Sequence, residues 1–245
     1  MNDYLVPILS LIIFVAFFVR AFTGFGAALI SVPLLALFYD LKFVVPLELI
    51  FETAIGVLLI AKVYKEINFK HLWNLLVGLL LGSILGAHLL ANTPNRGLQI
   101  GLGFTVLILS LYMVRFAKRP IVWKISANWG ILFGLLAGTL GGAFNMSGPI
   151  TVLYLSHQAI DKTQFRATLI GLFFITEIWK TVLFTYNGLF VPEMLEMTLK
   201  LAPAFLAGTI LGHLSHIKVS DKNFRYTLAA VLFVAGFFLL SKLFN

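Results

Sequence analysis

Apolar segments of about 16 to 24 residues follow one another along almost the whole of this 245-residue chain. A helix of about 20 residues crosses a hydrocarbon core of roughly 30 Å. Inside lipid the backbone has no water to bond with, so segments of this length must be helical. Charged residues make up only 11% of the chain and the mean hydropathy is +0.99, which leaves too little polar surface for a water-soluble protein. The chain is therefore predicted to be an all-α polytopic membrane protein.

Charged residues, prolines and glycines divide the apolar sequence into ten predicted helices. They cover residues 4–22, 25–39, 43–61, 71–91, 97–116, 125–140, 142–157, 164–186, 197–214 and 223–243. The longest loop separates two similar halves. We interpret 1–117 as a first membrane repeat, 118–124 as a connecting loop and 125–245 as a second membrane repeat.

Each half contains a short break that combines glycine, serine and proline. The breaks read GFGAALISVP at 24–33 and LGGAFNMSGP at 140–149. A shift of 116 positions aligns Gly26 with Gly142, Ala27 with Ala143, Ser31 with Ser147 and Pro33 with Pro149. Later motifs align at shifts of 125 and 126, which predicts an insertion in the loop at 157–163. Duplicated broken helices are typical of secondary transporters, which build their binding sites from them.

The distribution of Lys and Arg predicts the orientation of the halves. The count leaves out Arg20 and Lys180, which lie inside predicted helices. If each break is the tip of a helical hairpin, loops 62–70, 115–124, 158–166 and 215–225 lie on one side with twelve Lys and Arg, against four on the other. If each broken segment crosses once, the two sides carry nine and seven. The twelve-to-four split follows the positive-inside rule. It predicts two inverted repeats, each with a glycine-broken hairpin and three transmembrane helices, in an inner (cell) membrane with both termini outside the cytoplasm. Charge does not distinguish re-entrant from fully crossing hairpins.

The breaks predict an anion site. Backbone N–H groups at the start of a half-helix lack intrahelical partners and carry the positive end of the helix dipole. We expect the substrate to lie between the two breaks, close to Gly24, Gly26 and Gly142, with side-chain donors from Ser31, Asn145 and Ser147. The alternative is that the glycines only permit close helix packing.

The two breaks resemble those of a known family. GFGAALISVPLL after a first apolar helix and GGAFNMSGPI in the second half are similar to the TauE/SafE family, the toluene sulfonate uptake permeases. The similarity covers nearly the whole chain. It implies transport of small sulfur-containing anions, chiefly export of sulfite or organosulfonates, and leaves the particular anion open.

Four ionisable residues inside predicted helices are candidates for a functional role. Arg20 is expected either to offer a fixed positive charge to a sulfonate or to snorkel or cap a helix end. Lys180, three residues after Glu177, is expected to form an ion pair with it or to bind substrate. Glu52 has no partner at such spacing, and a lone membrane carboxylate is a candidate proton carrier. Glu52 and Glu177 occupy matching places in the repeats and are the candidates for ion coupling.

Several other functions are disfavoured by the sequence. No nucleophile and base pair or metal-ligand cluster is apparent, which argues against an enzyme and against a metal site. No Walker motif is present and no cofactor is expected. The positive charge belongs mainly to loops and predicts no nucleic-acid binding. A passive anion channel would have a similar lining and stays an alternative. Glycines at 78, 82 and 86 and small residues at 204, 208 and 212 predict close helix contacts within a protomer or in a homodimer.

Overall fold

The computed structural model describes residues 3–67, 72–116, 126, 129–158, 162–215 and 221–241. Within these residues the chain is helical with no strand, and all ten predicted helices are present. They are α1 (Val6–Thr23), α2 (Ala27–Leu35), α3 (Leu41–Val63), α4 (Trp73–Asn92), α5 (Asn95–Phe116), α6 (Gly130–Phe144), α7 (Gly148–Leu155), α8 (Lys162–Tyr186), α9 (Glu193–Leu214) and α10 (Asp221–Ser241). The connecting loop at 118–124 lies outside the described residues.

The helices differ in length in the way that broken helices require. The five ranges Leu41–Glu66, Trp73–Asn92, Asn95–Arg115, Thr163–Tyr186 and Glu193–Leu214 are long and apolar enough to cross a membrane. In contrast, α2 has 9 residues and α7 has 8, so at about 1.5 Å per residue each covers less than half of a core of roughly 30 Å. Neither short helix can cross a membrane by itself. Each packs against the helix that precedes it, α1 or α6.

The chain forms two compact units, each built from helices of both halves. Unit 1 comprises Met1–Val44, Thr93–Ile121 and Pro192–Asn245, and unit 2 comprises Val45–Asn92 and Val122–Val191. In unit 1, α1 packs against α9, and α5 packs against α10. In unit 2, α6 packs against α4, and α8 contacts α4 and α7. In both units, therefore, the first helix of one half packs against the fourth helix of the other.

Small residues bring these helix pairs together. A Cβ atom added to Gly78, Gly82 or Gly86 of α4 would lie 2.3 Å from a backbone oxygen of α6. A Cβ added to Gly208 or Gly212 of α9 would lie 2.4 Å from a backbone oxygen of α1. The predicted close packing of both stripes is confirmed. These contacts are made within the protomer, so the stripes give no support for a homodimer.

The helix ends correct the predicted alignment of the two breaks. Gly26 is the residue just before α2, whereas Gly142 lies inside α6, three residues before the cap residue Asn145. The left-handed residue that ends α1 is Gly24, and the one that ends α6 is Asn145, 121 positions later. The alignment of Gly26 with Gly142 at a shift of 116 is therefore wrong. It matched small residues, whereas a break is defined by the residue that takes the left-handed conformation. Inversion of the two halves stays a prediction.

Candidate functional site

The first break is a short turn made possible by two glycines. Gly24 ends α1 with φ +84°, and its N–H donates to the carbonyl of Arg20 at 2.7 Å. Gly26 precedes α2 with φ +97°. Residues other than glycine rarely adopt these backbone conformations. A Cβ on Gly24 would have no neighbour within 4 Å, and one on Gly26 would meet only Leu29 at 3.7 Å. Both glycines are therefore required by the backbone conformation and not by close helix packing.

Two polar side chains near the first break are buried. Arg20 is in the last turn of α1 and is only 5% exposed. Its burial inside the protein argues against snorkelling to an interface. Ser31 is fully buried in α2, and its hydroxyl donates to the carbonyl of Ala27 at 3.0 Å. That hydroxyl must rotate away from Ala27 before it can donate to an anion.

The second break depends on an asparagine. Asn145 has φ +60°, the only described non-glycine residue with positive φ. Its N–H donates to Gly141 at 2.9 Å, and the N–H of Met146 donates to Leu140 at 3.2 Å. The bond from Asn145 to Gly141 is the one that closes an αL helix cap, a position where asparagine can replace glycine. Asn145 therefore ends α6 and also adds a side chain that the first break lacks.

The side chain of Asn145 joins two buried charged groups. Its Nδ2 donates to Oε2 of Glu48 at 2.8 Å and lies 3.4 Å from the carbonyl oxygen of Val45. Its Oδ1 accepts a hydrogen bond from Nζ of Lys180. Glu48 is completely buried and Lys180 is 5% exposed. Hydrogen bonds to ionised groups are stronger than neutral ones, so this network ties the break to α3 and α8.

The other predicted residues of the second break take different positions. Ser147 precedes α7 and is buried, and its hydroxyl makes no capping bond to that helix. Gly142 faces α4, where an added Cβ would lie 2.5 Å from the carbonyl oxygen of Ser83. For Gly142 the packing alternative is the one that the structure supports.

The two coupling candidates are buried in unit 2. Glu52 is 5% exposed and Glu177 is 4% exposed. The carboxylate of Glu177 lies against Gly56, where an added Cβ would be 2.6 Å from Oε2. Glu48, Glu52 and Gly56 follow at four-residue spacing, so they share one face of α3. Glu52 was predicted to be a lone carboxylate, but a second buried carboxylate, Glu48, lies on the same face of α3.

Glu48 is the site residue that sequence reasoning missed. A readable signal was present, because two glutamates four residues apart in an apolar helix face the same way. The contact between Lys180 and Asn145 had no such signal, since it joins residues 35 positions apart on different helices.

Comparison with known proteins agrees with this architecture. A family model described as "Sulfite exporter TauE/SafE" matches residues 9–239. The chain belongs to this family. No curated protein and no solved structure gives a significant match. TauE/SafE proteins are transporters of sulfite or sulfonates and not enzymes. The protein is therefore a multi-pass membrane transporter. Its family implies a small anionic substrate and a lipid environment.

Proposed function

We propose that this TauE/SafE protein is a secondary transporter that exports small sulfur-containing anions such as sulfite or organosulfonates by alternating access around its two helix breaks. The observation that carries the proposal is the buried ammonium group of Lys180, held against the second break by Asn145. Buried charges in membrane helices are costly and mark substrate or ion pathways. A cation in such a place favours an anion as cargo.

Each break by itself offers an anion different groups. At the first, the turn from Gly24 to Gly26 leaves open space beside the backbone, and Arg20 supplies a buried positive charge. Free N–H groups at the start of α2 add the positive end of a helix dipole. Ser31 adds a hydroxyl once it leaves Ala27.

At the second break, Lys180 is the cation and Ser147 offers a hydroxyl with no capping bond. The amide of Asn145 is already bonded to Glu48, so it serves the anion by positioning Lys180. Gly142 has an indirect role in the proposed function, because it lets α6 pack closely against α4. Glu52 and Glu177 stay candidates for ion coupling, together with Glu48, which shares one face of α3 with Glu52.

The sequence contains no Walker motif for ATP hydrolysis, so a gradient or the membrane potential must drive transport. A membrane potential moves each unaccompanied elementary charge with about 2.3 kcal/mol per 100 mV. An inside-negative potential therefore favours the outward movement of a monovalent anion. Ion gradients and the substrate gradient are the other sources.

The test is substrate counterflow in liposomes. Purified protein is reconstituted with unlabelled sulfite or methanesulfonate inside, and labelled substrate is added outside. We expect transient accumulation of label, because a carrier exchanges substrate across a closed cycle. Lys180→Gln should abolish it. Lys200→Gln is the matched control, since Lys200 is a partly exposed lysine paired with Glu196 at 2.8 Å. Flux without accumulation would mean a channel, and no flux of either anion would refute the proposal.

The orientation is proposed from the loop charges and is tested by labelling. The chain has no cysteine, so single cysteines can be introduced without removing any. A reagent that cannot cross the membrane should reach a cysteine at position 2 or 244 in intact cells and should not reach one at 118. The reverse pattern would contradict outside termini and the inverted repeats.

A further inference from the structure

Unit 2 buries more negative than positive side chains. In its described residues the buried charged side chains are Glu48, Glu52, Glu177 and Lys180. Isolated charges are expensive in a low-dielectric interior, so such groups stay ionised only when a partner compensates them. Any event that removes the compensation of a carboxylate favours its taking up a proton.

Asn145 connects the amine to one particular carboxylate. Lys180 donates to its carbonyl oxygen, and its Nδ2 donates to Glu48 at 2.8 Å. The amide thus lies between ammonium and carboxylate with each end of its dipole against the opposite charge. Hydrogen bonds in such a chain polarise one another. Glu48 and Lys180 compensate each other through this relay.

We propose that binding of an anion to Lys180 is linked to uptake of one proton by Glu48, so that the transporter moves an anion and a proton together. The inference rests on the proposed function, because it needs an anion at Lys180. An anion beside the ammonium group takes over the compensation of its charge. Glu48 is then a buried carboxylate facing an added negative charge.

The step is balanced without any further reactant. The carboxylate of Glu48 takes one proton from water on the side to which the site is open, and its oxygen still accepts from Nδ2 of Asn145. Linkage is reciprocal, so a protonated Glu48 favours the anion as much as the anion favours the proton. Release of the anion on the other side releases the proton there.

Other ionisable groups on the neighbouring elements are accounted for. Besides Glu48, the buried carboxylates are Glu52 on α3 and Glu177 on α8, and α6 carries no ionisable side chain. The remaining described groups on α3, on the turn that follows it, and on α4, α7 and α8 are Lys42, Lys62, Tyr64, Lys65, Glu66, His88, Tyr154, Arg166 and Tyr186. Of these, only Tyr154 is buried.

Uptake of a proton with the anion changes the expected energetics of transport. A monovalent anion that travels with one proton carries no net charge, so the term of about 2.3 kcal/mol per 100 mV vanishes. Transport then follows the substrate and pH gradients and does not depend on voltage.

Calorimetry of anion binding measures the linked proton directly. Methanesulfonate is a suitable probe because its charge does not change near neutral pH. Titrations of the detergent-purified protein in two buffers with different heats of ionisation give the number of protons taken up. We expect about one proton per anion in the wild type, and an affinity that weakens about tenfold per pH unit as the pH rises.

Substitutions of single glutamates identify the residue that takes up the proton. Glu48→Gln keeps an acceptor for Asn145, so it should bind methanesulfonate with no proton uptake and with no dependence on pH. Glu196→Gln removes an exposed glutamate and is the matched control, with uptake unchanged. Uptake that survives in Glu48→Gln, or that is lost in Glu52→Gln or Glu177→Gln instead, would overturn the inference.

A measurement on the wild type does not depend on how Glu48→Gln folds. Methanesulfonate transport in liposomes should proceed at equal rates with and without an imposed potential, and Glu48→Gln should make it voltage-dependent. Voltage-dependent wild-type transport, or binding without proton uptake, refutes the linkage and leaves the proposed function standing. If neither methanesulfonate, sulfite nor sulfate binds the wild type, the proposed function fails together with the inference.

Discussion

The two helix breaks reach the same backbone geometry with different chemistry. In the first, Gly24 ends α1 in the left-handed conformation and has no side chain. In the second, Asn145 ends α6 in that conformation and its amide contacts Glu48 and Lys180. The comparison shows that the two breaks share the conformation in which a helix stops and not the groups that surround the stop. The second break is tied to two neighbouring helices, so we expect its side chain to matter for stability and for function.

The largest effect is expected at Gly142, where a role in helix packing and a role in anion binding predict different outcomes. Gly142→Val places a Cβ 2.5 Å from a backbone oxygen of α4. The next nearest atoms are also backbone atoms of that helix, which cannot move aside as a side chain can. We expect a loss of stability of about 3 kcal/mol or more. Thermal unfolding in detergent measures it, with Ala54→Val on the exposed face of α3 as control. A folded but inactive Gly142→Val would show that this residue lines the anion site.

An exchange of the two cap residues tests the comparison directly. Asn145→Gly keeps the backbone conformation and removes the amide, so we expect a loss of about 1.5 to 3 kcal/mol from a hydrogen bond to a charged group, together with loss of transport. Gly24→Asn should change stability by less than about 1 kcal/mol, because asparagine tolerates positive φ and no atom obstructs its Cβ. Melting temperatures and counterflow are the measurements. Equal effects of the two substitutions would mean that the side chain at the second break has no special role.

Gly24→Val tests how far the first break depends on its backbone conformation. The substitution creates no close contact, but φ +84° costs a residue with a side chain about 1 to 2 kcal/mol. We expect that loss of stability together with impaired transport. Gly188→Val in the turn between α8 and α9 is the matched control, since Gly188 has φ +64° and also has open space around it. Transport impaired equally by both would point to a general strain effect.

The smallest effects are expected at the serines. Ser31→Ala removes a hydroxyl that bonds Ala27 within the same helix, and it should weaken anion affinity by less than about 1 kcal/mol. Ser147→Ala should weaken it more, by about 1 to 3 kcal/mol, if that hydroxyl donates to a charged ligand. Binding titrations of both variants make the comparison. A stronger effect at Ser31 would show that its hydroxyl leaves Ala27 when the anion binds.

Much of the fold could be predicted because the bilayer restricts what an apolar chain can do. Each of the ten predicted helices is present among the described residues, with ends shifted by up to five or six positions. The prediction succeeded since lipid leaves the backbone no alternative to a helix. The predicted alignment of the two breaks failed because glycine has two uses in membrane helices. In the sequence, Gly142 looks like a break residue, and only its position against α4 shows it to be a packing residue.

The sequence by itself determined that this chain is a helical membrane protein with two interrupted helices, because those properties follow from local hydropathy and from residues such as Gly24 that free the backbone. Only the tertiary structure decided which side chains meet at the second break. Asn145 is 97 positions from Glu48 and 35 positions from Lys180 along the chain. Contacts over such separations depend on how the helices pack, and packing in an apolar environment is set by close contact of small residues such as those between α4 and α6.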